Sequence, residues 1–169
     1  MFSSIKARFQ DIGTIKALCE GAERHAREDG RRDAGAEHFL LAAFDLPDGT
    51  ARQAFAAIGA DPAGLRPAIE RQYADGLKLV GLDPALTGGF AEPAPPKQKL
   101  YNAAPSGQAV MQALAAERAG HRPLLGAHVV DVVAGMPHGV AARALRVMGI
   151  DAAALQAAAL DVIREKQAS

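Results

Sequence analysis

Tryptophan is absent, cysteine occurs once, and aromatic residues make up only 5% of the 169-residue chain. A lone Cys19 has no partner for an intramolecular disulfide or a thiolate metal pair, which points to a reducing compartment. Neither sign of charge is in excess: 19 Lys and Arg balance 19 Asp and Glu. No global field therefore draws the protein to nucleic acid, an anionic membrane or acidic substrates. Stretches of ~18 apolar residues are also missing, and Met1 to Gln10 has no apolar run of signal-peptide length. The expectation is a cytoplasmic protein of one-domain size, with neither membrane nor nucleic acid as partner.

Alanine fills the space that aromatics leave, 38 residues of it. It is the strongest helix former and lets helices approach closely, so the composition favours an all-α fold over a β-sandwich. Laid on itself, the chain aligns Ala26 to Leu65 with Ala116 to Leu155, without gaps, at a constant offset of 90 residues, and twelve of the forty positions are identical. The shared residues include Gly30/Gly120, His38/His128, Pro47/Pro137, Gly49/Gly139, Gly59/Gly149 and Asp61/Asp151. Most are helix punctuation, as expected of a repeated supersecondary unit.

Each repeat reads as four helices. The first carries Ile15, Leu18, Cys19, Ala22 and Ala26 on one stripe, starts at Asp11 or Thr14 and ends at Gly30; Ser106 is the N-cap expected for its counterpart, which Gly120 ends. The second runs from Glu37 to Leu46 and from Ala127 to Met136, each stopped by proline. Val129, Val130, Val132 and Val133 alone would suggest a strand, but the repeat register makes them helical. The third covers Thr50 to Ile58 and Val140 to Met148 before a glycine, and the fourth opens at Asp61 or Asp151 with Pro62 at N1. The expected architecture is two four-helix repeats related by pseudo-two-fold symmetry, residues 1–80 and 100–169, joined by a Pro/Gly-rich linker at 81–99.

Catalytic chemistry finds little support. No G-x-x-x-x-G-K-[ST] occurs, so these residues carry no phosphate cradle. His38 and His128 sit in short apolar helices without a second ligand at metal spacing and read as structural hydrogen-bonding groups, and His25, His121 and His138 form no HxxxH pair. Cys19 belongs to an apolar stripe and reads as a buried small hydrophobe, and Pro105-Ser106-Gly107 is no nucleophile elbow. Glu20, Glu23, Glu28 and Asp29 are interleaved with Arg24 and Arg27 and read as a solvated helix face; Arg27, Arg31 and Arg32 read as a turn surface. No catalytic residue, metal or cofactor is expected.

Two stretches carry a family resemblance. Ala36-Glu37-His38-Phe39-Leu40-Leu41-Ala42 resembles the T-E-H-L-L-L-A motif of the amino-terminal domain of Clp-type AAA+ unfoldases. Gly139-Val140-Ala141-Ala142-Arg143-Ala144-Leu145 with Gly149-Ile150-Asp151 resembles its G-x-A-x-x-x-L and G-h-D pattern, where h is apolar. The resemblance spans about Asp11 to Ile163. It implies a non-catalytic module that binds protein partners (a Clp ATPase, a Clp peptidase or a client polypeptide) as an adaptor or accessory factor. The alternative it leaves is a structural subunit that stabilises a Clp protease assembly without selecting substrates. By the same resemblance the partner-contacting residues are Glu37, His38, Asn102 and His128. In some family members both T-E-H glutamates help bind phosphorylated arginine; here Ala127 stands at the second, and Ala36 and Gly126 replace the threonines. The implied groove between the repeats is thus asymmetric, with a carboxylate on one side only.

Overall fold

The computed structural model describes residues 2–83, 103–118 and 123–169, without the side chains of residues 2–4, 7 and 118. These residues are all helical apart from turns and one isolated parallel bridge between Ala34 and Ala103. The order is α1 (Phe2–Glu28), α2 (Ala36–Asp45), α3 (Thr50–Ala57), a 3-10 turn (Pro62–Gly64) leading into α4 (Leu65–Leu79), then α5 (Pro105–Arg118), α6 (Gly126–Ala134), α7 (Val140–Val147) and α8 (Ala152–Ala168). The all-α expectation is met. Most of the linker expected at 81–99, together with Asn102, Gly120 and His121, lies outside the described residues.

The 90-residue offset persists in the elements: α3 and α7 occupy positions 50–57 and 140–147. Both are closed by the same backbone device. Gly59 at φ +69° donates to the Ala56 carbonyl while Ala60 N–H reaches the Phe55 carbonyl, and Gly149 at φ +72° and Ile150 repeat this with Arg146 and Leu145. Such Schellman ends satisfy the last carbonyls of a helix and require a left-handed residue, the conformation glycine enters at least cost.

Helices α2 and α6 are apolar nearly all round, with every residue from Ala36 to Phe44 buried, and this pattern suits only a core position. They pack on one another. Helix α1 covers α2, α8 covers α6, and the third and fourth helices cross between the halves, α3 against α8 and α4 against α7. Phe39, Leu40, Phe55, Leu65 and Ile69 from the first half and Val110, Leu114, Val129, Leu145 and Leu155 from the second lie in one continuous core. Each such side chain contributes about 1.5–3 kcal/mol of burial, so neither half keeps its core without the other. Packing also overrides the strand preference of Val129, Val130 and Val133, which are buried within helix α6.

Two cap assignments change. Helix α1 begins at Phe2, because Ile5, Phe9 and Ile12 continue the helical period ahead of the repeat, so neither Asp11 nor Thr14 starts it. Asp11 is an interior residue, only 6% exposed, whose carboxylate accepts the Leu124 N–H at 2.7 Å. Ser106 is the second residue of α5 and does not cap it; its hydroxyl accepts the Ala36 N–H of α2 at 3.1 Å. At the fourth helix the expectation is met in modified form: Asp61 accepts the Ala63 N–H and Pro62 stands at N1, but of a 3-10 turn that precedes α4.

Candidate functional site

The two central helices start deep inside the protein, where their free N–H groups cannot reach water and must find internal acceptors. Each borrows from the other half of the chain, α2 one acceptor and α6 two. At α2 the donor is Ala36 and the acceptor Ser106. At α6, Ala127 N–H donates to Thr50 Oγ1 at 2.8 Å, and Gly126 N–H donates to Asp48 Oδ2 at 3.1 Å. The other oxygen of Asp48 receives both the backbone N–H and the hydroxyl of Thr50, so one carboxylate ties the start of α3 to the start of α6.

The repeated histidines occupy the third position of these helices. His38 Nδ1 accepts the Gly35 N–H at 2.9 Å, and His128 Nδ1 accepts the Leu125 N–H at 3.0 Å. In each ring Nδ1 is an acceptor, which leaves the proton on Nε2 and makes that nitrogen a donor. The two rings differ in what receives it.

Around His38 the acceptors are built in. Nε2 donates to Asp29 Oδ2 at 3.1 Å and lies 3.4 Å from the Tyr73 hydroxyl, which in turn donates to Glu37. Arg66 holds the other oxygen of Asp29 at 2.7 Å and reaches Glu28 at 2.9 Å, and the Arg31 guanidinium lies 3.9 Å above the Tyr73 ring. Burial and the Glu37 carboxylate push the phenol well above its ordinary pKa, so it remains a donor. The Glu37 carboxylate folds back against Gly35, where a β-carbon would stand 2.6 Å from it. Repeat two, with Ala127 in place of the acid, accommodates Leu125 at the matching position. Asp29 therefore does not belong to a solvated helix face: its side chain is 3% exposed and doubly bonded. Of the family-implied residues, Glu37 and His38 come together here, both buried.

Around His128 the repeat-one acceptors have no counterparts. The positions matching Asp29, Glu37 and Tyr73 are Ala119, Ala127 and Ile163. His128 instead lines an open cavity of ≈ 440 Å³ together with Glu117, Asp131, Leu160, Ile163 and Arg164. Burial lowers its pKa, with Glu117 and Asp131 acting in the opposite sense, so the ring is neutral at neutral pH. Among the described residues no hydrogen bond joins His128 to Glu37 or His38, and Asn102 lies outside them.

Elsewhere, His25 is not a free surface group: its Nε2 donates to Asp45 at 2.7 Å, beside the Arg24–Asp45 pair. Cys19 is half-buried, and burial followed by Glu23 and Glu20 pushes its thiol up to about 11, which suits packing and not attack. Among the described residues no group of three His, Cys, Asp or Glu side chains is placed to hold a metal ion, and no helix is long and apolar enough to cross a membrane. A second concavity of ≈ 630 Å³ between α3 and α8 has an alanine floor and a rim of Gln53, Asp161 and Glu165. Sequence reasoning missed Asp29, Arg66 and Tyr73 around His38 and Glu117 and Asp131 around His128. Tyr73 alone left a trace, as one of only two tyrosines in the chain.

Residues 14–92 match the family model described as the Clp repeat (R) N-terminal domain. No curated protein matches the chain.

Proposed function

We propose, from the premise that this chain carries a Clp N-terminal domain, that it is a non-catalytic protein-binding module serving a Clp-type unfoldase or protease as an adaptor or accessory factor in the cytoplasm. The observation that carries this reading is the Clp N match over residues 14–92, on a helical frame whose polar side chains serve helix ends and one another. Nothing in these 169 residues supplies a Walker loop, so any ATP-driven step lies outside them. On this reading residues 1–80 and 100–169 are the two repeats, and Glu37, His38, Asn102 and His128 belong to the partner-facing region. Glu37 and His38 serve it from below, by setting the position of Tyr73 and of the Arg31 side chain over it.

The test uses purified components. The tagged chain is mixed in turn with a Clp unfoldase and with a Clp peptidase ring, and the complexes are sized by gel filtration and light scattering. An adaptor co-elutes with the unfoldase and increases its capture of client polypeptide. Association with the peptidase ring alone would favour a structural subunit, and association with neither would overturn the proposal.

A further inference from the structure

Comparison of the two repeats within this one chain points to a ligand site in the second. His38 and His128 are held identically through Nδ1, and in repeat one the Nε2 proton meets Asp29 with Tyr73 beside it. Repeat two has neither side chain. His128 is 94% buried, being 6% exposed, yet its Nε2–H has no acceptor among the described residues and the ring lines a cavity of ≈ 440 Å³. A buried donor left unpaired costs on the order of 1–3 kcal/mol, a cost that a ligand able to accept the hydrogen bond removes.

The mouth of the cavity defines the rest of the ligand. Glu117 and Asp131 carry no ion-pair or hydrogen-bond partner for their carboxylates among the described residues, whereas the one cation, Arg164, is already matched by Asp161 at 3.0 Å. Leu160 and Ile163 supply an apolar wall beside them. From these groups we infer that the cavity takes a basic side chain of an extended polypeptide: its cation meets Glu117 and Asp131, its aliphatic stem lies on Leu160 and Ile163, and a neighbouring backbone carbonyl accepts the His128 Nε2–H. This deepens the protein-binding reading and rests on it. In repeat one the His38 Nε2–H already has Asp29 and Tyr73 beside it, so among the described residues the unpaired imidazole is that of repeat two.

The probe is a capped pentapeptide, acetyl-Ala-Ala-Arg-Ala-Ala-amide, titrated into the isotopically labelled full chain and followed by NMR, with the Arg→Gln peptide as the uncharged control. The Arg peptide should shift the amides of Glu117, His128, Asp131 and Ile163 and move the His128 Nε2 resonance, a signature that a purely structural histidine would not give. The Gln peptide should bind about tenfold more weakly or worse. The double variant Glu117→Gln/Asp131→Asn should reduce the Arg peptide to the level of the Gln peptide. Ala127→Glu/Ile163→Tyr, which rebuilds the repeat-one side chains in place, should abolish binding at this face; should it fail to fold, the rim variant still decides. Equal affinity for both peptides, shifts confined to other surfaces, or no shift at all would overturn the site. A chain that ignores the Arg peptide yet still co-elutes with a Clp component would lose this site and keep the function proposed above.

Discussion

Replacing Thr50 by valine tests whether the two halves are held together by exchanged helix caps. Valine has nearly the volume of threonine and fits the same fully buried space, so the change is confined to the hydroxyl. That hydroxyl accepts the Ala127 N–H at 2.8 Å and donates to Asp48. Its removal strands a buried amide, at about 1–3 kcal/mol, and frees one bond to Asp48 that water can partly replace because Asp48 lies near the surface. The expected loss is about 2–3 kcal/mol. Thr50→Ser keeps both hydrogen bonds and removes one methyl, for a loss of about 1 kcal/mol. Urea unfolding followed by circular dichroism gives both values, and in a chain of this size the valine variant should also melt ~4–12 °C lower. Because the acceptor is in one half and the donor in the other, the transition should stay single and keep its slope. A valine cost no greater than that of serine would mean that Ala127 N–H is satisfied without Thr50 and would overturn the exchanged cap.

Four further outcomes follow from the same structure. Gly59→Ala and Gly149→Ala each meet open space, so the whole cost is the positive φ, about 1 kcal/mol apiece in urea unfolding. Glu37→Ala should destabilise the fold by about 1–3 kcal/mol by leaving the Tyr73 hydroxyl without its acceptor, and on the proposed function it should also weaken a captured partner in calorimetry; a variant that melts like the parent would remove Glu37 from the network. His128 is held with a lowered pKa, so unfolding takes up a proton below the unfolded value of ~6.5; stability should fall as pH drops through that value, and His128→Asn should flatten this part of the pH profile. With its thiol pushed up to about 11, Cys19 should react with iodoacetamide at pH 8 roughly 100-fold more slowly than in the urea-unfolded chain, measured by mass spectrometry.

The helices and much of their punctuation were legible residue by residue. Alanine content, the 3.6-residue spacing of Leu18, Ala22 and Ala26, the proline stops and the paired Gly59 and Gly149 are local signals, because helix propensity and φ preference act within a turn of the residue concerned. The Clp resemblance was legible for the same reason, since its motifs are short and mark helix starts and ends. Tertiary structure alone decided which groups share a site. Ser106 looked like a cap for its own helix, yet it serves Ala36, 70 residues away, and Asp11 serves Leu124 across 113 residues. Asp29 read as one carboxylate on a charged face until Arg66 and His38 enclosed it. His38 and His128 differed in the sequence only by the neighbouring Glu37 and Ala127 as far as local reading went, and they also part company through residues 73 and 163, which nothing local connects to them. A buried hydrogen bond is selected by the position of its partner in space, and in a helical bundle that position is fixed only when apolar faces from both halves close on one core.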